Sequence, residues 1–255
     1  MKKVVAIIQA RMGSTRLPGK VLMDISGKPM LWHVIERVKG CKKVDSIAVA
    51  TTSREEDRAV IKLADGCGVD TFAGSEDDVL DRYYQAAKKF HADPIVRITA
   101  DCPVIDPQIV DEVINEYTEG GYDVCGLSGE FPDGLDVTVF SFKALEDTWR
   151  NAKLPSEREH VGPYMGKHPE KFKLGEYVKF NDLGHHRWSV DEESDLRFIR
   201  EIFSRLYKPG EIFLTGDILG VLESEPDLLK INAGIIRNEG YIKSLKEDEE
   251  FLEEK

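Results

Sequence analysis

Two adjoining stretches near the start of the chain decide its fold: VVAII at residues 4–8 and ARMGSTRLPGK at residues 10–20. The first is a continuous apolar run rich in β-branched residues, which is typical of a strand buried on both faces. The second, called the cationic loop below, is polar and contains glycine and proline. Ligands of open α/β sheets lie outside the carboxyl ends of the strands, so this loop is the first place to expect a binding site.

The rest of the first half alternates between predicted strands and predicted helices. Apolar residues from Met30 to Val38 recur with helical spacing, and Gly40 follows as a C-cap. Further strands are predicted at 46–51, 71–72 and 94–99, and further helices over 55–65, over 77–90 and from 106 onward. This alternation predicts an α/β fold with a mostly parallel, twisted sheet flanked by helices on both faces.

The second half is less regular. Strands are predicted at 122–125, 136–142 and 187–190, and helices over 143–151 and 192–207. Ser156 to Glu159 has the pattern of a capping box that opens a short helix. We expect a single domain over residues 1–255, ending in a charged helical tail over 236–255.

Composition excludes several classes of function. The 255 residues include 35 Lys and Arg against 47 Asp and Glu, a formal net charge of −12. Such an acidic chain is a poor candidate for binding a nucleic-acid backbone, and no apolar run is long enough to span a bilayer. The four cysteines form no C-x-x-C pair, so neither a zinc site nor a disulfide framework is indicated. We expect a cytoplasmic protein with neither nucleic-acid binding nor membrane insertion.

The cationic loop has the composition of a phosphate site. It holds Arg11, Arg16 and Lys20 together with two glycines and two hydroxyl residues. Glycine lets backbone N–H groups approach an anion, and arginine matches phosphate oxygens bidentately. The spacing is neither that of a Walker A loop nor that of a G-x-G-x-x-G fingerprint. A basic surface loop is the alternative, but a concentration of cations after the first buried strand of an acidic chain favours phosphate binding.

Two aspartates stand at the ends of predicted strands. Asp101 follows the strand at 94–99, and Asp191 follows the strand at 187–190. Each alone is explained as well by capping of the turn or helix that follows it. Their joint position beside the cationic loop favours Mg²⁺ binding, because that ion takes one or two carboxylates together with phosphate oxygens and water.

These motifs resemble those of a known family. The segment QARMGSTRLPGK at 9–20 resembles the opening motif of the sugar-acid cytidylyltransferases, which include the CMP-Kdo and CMP-N-acetylneuraminate synthetases. TADCP at 99–103 and VDEESDL at 190–196 look like the two metal motifs of that superfamily. GSEDDVLDRYY at 74–84, residues 155–161 and NEGY at 238–241 are similar to the branch named for the spore-coat polysaccharide protein SpsF. The resemblance covers nearly the whole chain.

The resemblance implies a nucleotide-diphospho-sugar transferase-like fold of GT-A type and a Mg²⁺-dependent cytidylyltransferase. Such an enzyme couples CTP to a sugar, here expected to be acidic, and releases pyrophosphate for polysaccharide or glycan biosynthesis. It also implies a homodimer. By the same resemblance, Asp101 and Asp191 hold the metal and the catalytic cations are Arg11, Arg16 and Lys20. The nucleotide-binding residues are Ala10, Gly13, Ser14, Thr52, Ser75, Arg82 and Thr99.

Departures from the family motifs leave alternatives open. The cytidylyltransferases proper have Gln-Gly-Asp-Glu-Pro in place of TADCP and Asp-Thr-Pro-Glu-Asp in place of DEESD, although both aspartates are kept. Asp136, Arg158 and His160 are candidates for the acceptor sugar, and a structural role explains Arg158 about as well. A glycosyltransferase on the same fold is disfavoured because no Asp-x-Asp motif stands at a strand end. A non-catalytic nucleotide-sugar-binding protein is disfavoured because the cationic loop and both aspartates are present.

Overall fold

The computed structural model describes residues 3–127, 130–235 and 237–253. Within them, the strands are β1 (Lys3–Gln9), β2 (Asp24–Ile25), β3 (Lys28–Pro29), β4 (Ser46–Thr52), β5 (Asp70–Gly74), β6 (Ala92–Thr99), β7 (Val124–Leu127), β8 (Thr138–Phe140) and β9 (Leu174–Tyr177). The helices are α1 (Met30–Lys39), α2 (Arg58–Gly66), α3 (Val79–Phe90), α4 (Pro107–Gly120), α5 (Phe142–Asn151), α6 (Pro155–His160), α7 (Pro163–Lys167), α8 (Glu193–Leu206), α9 (Thr215–Ser224) and α10 (Glu239–Glu253).

Seven of these strands form one sheet in the order β5-β4-β1-β6-β8-β7-β9, and β2 and β3 form a separate antiparallel hairpin. β1 pairs in parallel with β4 and β6, and β5 continues in parallel on β4. β8 is antiparallel to both of its neighbours, and β9 is parallel to β7. The expected mostly parallel sheet is therefore confirmed, with one reversed strand inside it.

The core lies on both faces of the sheet, as the apolar run in β1 predicts. Ala6 and Ile8 belong to one fully buried cluster, which includes residues of α1, α4 and α8. Val5 and Ile7 belong to the other cluster, which includes residues of α3 and α5. Alternate residues of a strand point to opposite faces, so a central strand between two helical layers buries all of them.

The second half departs from the sequence prediction in three places. The strand predicted at 187–190 is wrong, because only Arg187 makes an isolated bridge, to Asp133. Strand β9 was not predicted, since its short LGEY sequence has no strong periodicity. The capping box predicted at Ser156 is also wrong: α6 begins at Pro155, and Glu157 accepts from the backbone nitrogens of Lys153 and Leu154.

The charged tail forms α10, which packs against α6. Residues 236, 254 and 255 of the predicted tail lie outside the described residues. None of the helices in the described ranges has the length and apolar character needed to cross a membrane.

Candidate active site

A cleft of about 1240 Å³ opens at the carboxyl ends of β1 and β6. Small-molecule pockets are commonly about 300–1,000 Å³, so this cleft has room for a nucleotide and a second substrate. Its floor is one end of the sheet, and its walls come from the cationic loop, α6 and α10. Twelve of the residues predicted from sequence line it: Ala10, Arg11, Ser14, Arg16, Lys20, Arg82, Thr99, Asp101, Asp136, Arg158, His160 and Asp191.

Three predicted nucleotide-binding residues do not line the cleft. Gly13 is exposed and is not among the residues that line the cleft. Thr52 is 1% exposed and donates its hydroxyl to Asp57, which accepts the backbone N–H of Met12 at 2.7 Å. The Ser75 hydroxyl accepts the backbone N–H of Asp78 at 3.2 Å. The contacts of Thr52 and Ser75 support neighbouring segments of the chain.

The cationic loop is folded back on itself. The carbonyl of Met12 accepts the backbone nitrogens of Ser14 and Gly19, each at 2.9 Å. Gly19 has φ +73°, a left-handed conformation that glycine adopts without strain. A short 3₁₀ turn over Lys20–Leu22 follows. This turn directs Lys20, which is only 8% exposed, toward the ends of the strands.

Lys20 joins the two predicted metal-binding aspartates. Its Nζ lies 2.9 Å from Asp101 Oδ2, 2.9 Å from Asp191 Oδ1 and 2.8 Å from the carbonyl oxygen of Val190. The residues come from three distant parts of the chain and meet at the carboxyl ends of the sheet. The structure thus brings together the loop and both aspartates, as their joint position in the sequence suggested.

Lys20 and Asp101 are each held in the charged form. Burial alone raises the pKa of Asp101, but the Lys20 charge and hydrogen bonds from Thr99 and Lys20 outweigh it and lower this pKa to about 2. Burial likewise lowers the pKa of Lys20, but the two carboxylates outweigh it and raise the value above the ordinary 10.5. At neutral pH the Lys20 ammonium therefore lies beside an ionised Asp101 carboxylate.

Sequence reasoning missed Arg187, which binds the Asp191 oxygen that does not contact Lys20. Its guanidinium donates to Asp133 Oδ2, Asp191 Oδ2 and both oxygens of the fully buried Asp195, at 2.9–3.0 Å. Asn232 also donates to Asp195 at 3.0 Å. The four-residue spacing of Arg187 and Asp191 was only a weak signal of an ion pair. The segment between them is not helical, so the spacing alone does not bring the two side chains together.

The two aspartates fit a Mg²⁺ ion that is completed by a substrate. No group of three or more His, Cys, Asp or Glu residues converges as a preformed metal site in the described parts of the chain. Mg²⁺ needs only one or two carboxylates when phosphate oxygens and water supply the rest. Asp101 and Asp191 already share one cation, so their oxygens lie no more than twice 2.9 Å apart. An ion that binds both has to compete with the Lys20 ammonium.

Helices α6 and α10 form another wall of the cleft and contact the cationic loop. Arg158 pairs with Asp78, the N-cap of α3, and donates to the carbonyl of Trp149 at 2.8 Å. These contacts give Arg158 a structural role, although it borders the cleft. His160 Nε2 lies 3.0 Å from the Ser244 hydroxyl, and Arg16 Nη1 lies 2.9 Å from Glu239 Oε2. The last contact ties α10 to the cationic loop.

Comparison with known proteins agrees with this geometry. A family model described as cytidylyltransferase matches residues 5–205. A solved cytidylyltransferase structure from Leptospira borgpetersenii is 34% identical with a TM-score of 0.86, covering 93% of this chain and 100% of that one. The spore coat polysaccharide biosynthesis protein SpsF of Bacillus subtilis is 28% identical, covering 89% of this chain and 97% of SpsF. The 3-deoxy-manno-octulosonate cytidylyltransferase of an Anaeromyxobacter species is 33% identical, covering 64% of this chain and 73% of that enzyme.

Proposed function

The chain belongs to the cytidylyltransferase family, and from this premise we propose that it couples CTP to an acidic sugar with the help of Mg²⁺. In this reaction a sugar hydroxyl oxygen attacks the α-phosphorus of CTP. The bond from that phosphorus to the oxygen bridging to the β-phosphate breaks, and the hydroxyl proton passes to solvent. The products are a CMP-sugar and pyrophosphate, as needed for polysaccharide or glycan biosynthesis.

One observation carries the proposal: Asp101 and Asp191 converge on a single cation beside the cationic loop. Transfer of a phosphoryl or nucleotidyl group depends mainly on positioning and on neutralising phosphate charge. Bound Mg²⁺ supplies part of that neutralisation. A cleft with two fixed carboxylates for Mg²⁺ and several cations can both position the phosphates of CTP and neutralise their charge.

The cations of the loop have separate tasks in this proposal. Lys20 holds the two carboxylates until substrate arrives and then interacts with phosphate oxygens. Arg16 Nη2 lies 2.8 Å from Asp191 Oδ1, so it reaches the same phosphates from the solvent side. Arg11 faces Glu159 across the cleft at 3.6 Å, a contact loose enough to be replaced by a phosphate oxygen.

Calorimetric titration of CTP, UTP, ATP and GTP, each with Mg²⁺, into the full chain tests the proposal. We expect selective binding of CTP that is lost in the Asp101→Asn variant. Pyrophosphate release with a panel of sugar acids then measures turnover. Indifferent binding of all four triphosphates, together with tight binding of a nucleoside diphosphate sugar, would instead support a glycosyltransferase or a binding protein on this fold.

A further inference from the structure

Arg97 is a cation in the cleft that pairs with no acidic side chain in the described parts of the chain. It is half-buried on β6 and lines the cleft. A guanidinium has five N–H donors. In the described ranges its one hydrogen bond runs from Nη2 to Gln9 Oε1 at 3.3 Å, and its buried Nε has no partner. Its Cζ also lies 5.8 Å from the centre of the Tyr83 ring.

Other arginines in the same protein are satisfied differently. Arg37, which is 4% exposed, donates to the carbonyls of Ile105, Val104 and Phe213 at 2.7, 3.3 and 2.6 Å. Arg187 is surrounded by three carboxylates. An arginine that only supports the fold is thus supplied with acceptors here. Because an under-satisfied, partly buried charge costs free energy, Arg97 is suited to an anion that arrives with a ligand.

Sheet register places Arg97 on the acceptor side of the cleft. It lies between Ile7 of β1 and Thr138 of β8. Its side chain shares a face of the sheet with Thr99, since alternate residues of a strand point the same way. Continuing the antiparallel register brings Asp136 opposite Thr99. Arg97 therefore lies diagonally across the paired strands from Asp136, the residue that the sequence suggested for the acceptor sugar.

The surroundings of Arg97 leave its charge available. His160 contributes no positive charge at neutral pH, because burial and the nearby Arg97 charge lower its pKa to about 4. Burial raises the pKa of Asp136 above its ordinary value, and the Gly134 hydrogen bond and the charges of Arg237 and Arg97 offset this rise only in part. One carboxylate oxygen of Asp136 accepts a hydrogen bond from the Gly134 backbone nitrogen, at 2.9 Å.

We propose that Arg97 determines acceptor specificity by binding an anionic substituent of the acceptor sugar, a carboxylate or a phosphate, through its unpaired N–H donors. The inference rests on the proposed function and adds to it the residue that selects the acceptor sugar. Arginine is suited to this role because its planar fork binds either oxyanion bidentately. Asp136 and the neutral His160 lie near the same place and can receive hydroxyl groups of the sugar.

The test compares binding of anionic and neutral sugars to the full chain in the presence of CMP and Mg²⁺. Calorimetry measures 3-deoxy-manno-octulosonate as the carboxylate probe, glucose 1-phosphate as the phosphate probe and glucose as the neutral probe. The proteins are wild type, Arg97→Gln, Arg97→Lys and Arg58→Gln, the last removing an exposed arginine on α2. CTP affinity of each protein is measured in parallel.

We expect at least one anionic probe to bind wild type about tenfold or more tightly than glucose, because a hydrogen-bonded charge pair is worth about 1.5–3 kcal/mol. Arg97→Gln should lose this preference, Arg97→Lys should keep part of it, and Arg58→Gln should keep all of it, with CTP affinity unchanged throughout. The probe that loses affinity identifies the carboxylate or the phosphate as the group bound.

Three results would overturn the inference. Wild type could bind neither anionic probe better than glucose. Arg97→Gln could retain the full preference. It could also lose CTP affinity in place of acceptor preference, which would assign Arg97 to the triphosphate. In the first two cases, retained CTP binding leaves the proposed function standing. Wild type that binds no CTP refutes the proposed function itself.

Discussion

Asp248 on α10 accepts the backbone N–H of Ser156 at 2.8 Å and its hydroxyl at 2.5 Å, which fastens α10 to the start of α6. Both residues are buried, at 5% and 0% exposure. The family model ends at residue 205, so α10 lies outside the matched region, whereas α6 lies within it. The carboxylate takes the place of a local helix cap, and it does so from 92 residues away.

Removing this carboxylate should release α10. A hydrogen bond to a charged group is worth about 1.5–3 kcal/mol, so Asp248→Ala should speed hydrogen exchange of the α10 amides about tenfold or more. Mass spectrometry of peptides from α10 measures this. Glu250→Ala, an exposed change on the same helix, is the control and should leave exchange unchanged. Equal exchange in Asp248→Ala and wild type would show that the contact does not hold the helix.

The carboxylate pair should be required for metal-dependent turnover. Asp101→Asn and Asp191→Asn keep the size of the side chain and an acceptor for Lys20, but each removes a charge that Mg²⁺ needs. We expect each to lower Mg²⁺-dependent pyrophosphate release at least about a hundredfold. Asp70→Asn, an exposed change at the start of β5, is the control. Wild-type turnover in either cleft variant would remove that aspartate from the metal site.

The cations of the loop should act mainly in the transition state. Lys20→Ala and Arg16→Ala should each lower kcat by about a hundredfold or more, because they neutralise charge that develops on the transferring phosphate. Steady-state kinetics with CTP in excess isolates this effect from binding. Lys208→Ala removes an exposed lysine outside the cleft and should keep wild-type rates. A change confined to the KM for CTP would limit both residues to ground-state binding.

The depressed pKa of His160 should make stability depend on pH. Burial, together with the Arg97 charge, lowers the pKa from 6.5 to about 4. The unfolded chain then binds the proton more readily than the folded chain. The contribution of the neutral His160 to the free energy of unfolding is therefore fully present above pH 6.5 and is lost as the pH falls toward 4. Urea unfolding of wild type and His160→Gln from pH 7 to pH 4 measures it.

The stability advantage of wild type over His160→Gln should shrink across this range. Other titrating groups are common to both proteins and cancel in the difference, including Asp133, whose pKa burial and the Asp136 charge raise to about 6. A difference that stays constant between pH 7 and pH 4 would contradict the depressed pKa.

We expect a homodimer, as the family resemblance implies. Ile242, Leu245 and Leu252 are exposed at 44%, 37% and 61% and lie on one side of α10, where a second copy could cover them. Light scattering at micromolar concentration should give twice the chain mass of 28.8 kDa. Leu245→Glu should shift the mass toward the monomer, whereas the exposed Glu223→Lys on α9 should not. A monomeric wild type would refute the expectation.

Local sequence was sufficient to predict the structure of segments whose own hydrophobic pattern decides whether they form a strand or a helix. The apolar run of β1 and the alternation after it predicted a mostly parallel sheet with a core on each face. The rule that ligands lie at carboxyl ends of strands then placed the cationic loop, Asp101 and Asp191 in one site, and the structure brings both aspartates within hydrogen-bond distance of Lys20 in the loop. The predicted strand at 187–190 failed because Arg187 is held by carboxylates and not by a strand ladder.

The sequence by itself determined the mostly parallel sheet with helices on both faces and the cationic character of its first loop, because hydrophobic periodicity and residue type are local properties. Only the tertiary structure decided which charges remain free. Lys20 and Arg187 each pair with aspartates brought to them by the fold. Among the residues that the structure describes, none pairs a carboxylate with the Arg97 guanidinium. Pairing of charges depends on distances in space, and spacing along a chain does not determine those distances once the segments between have folded.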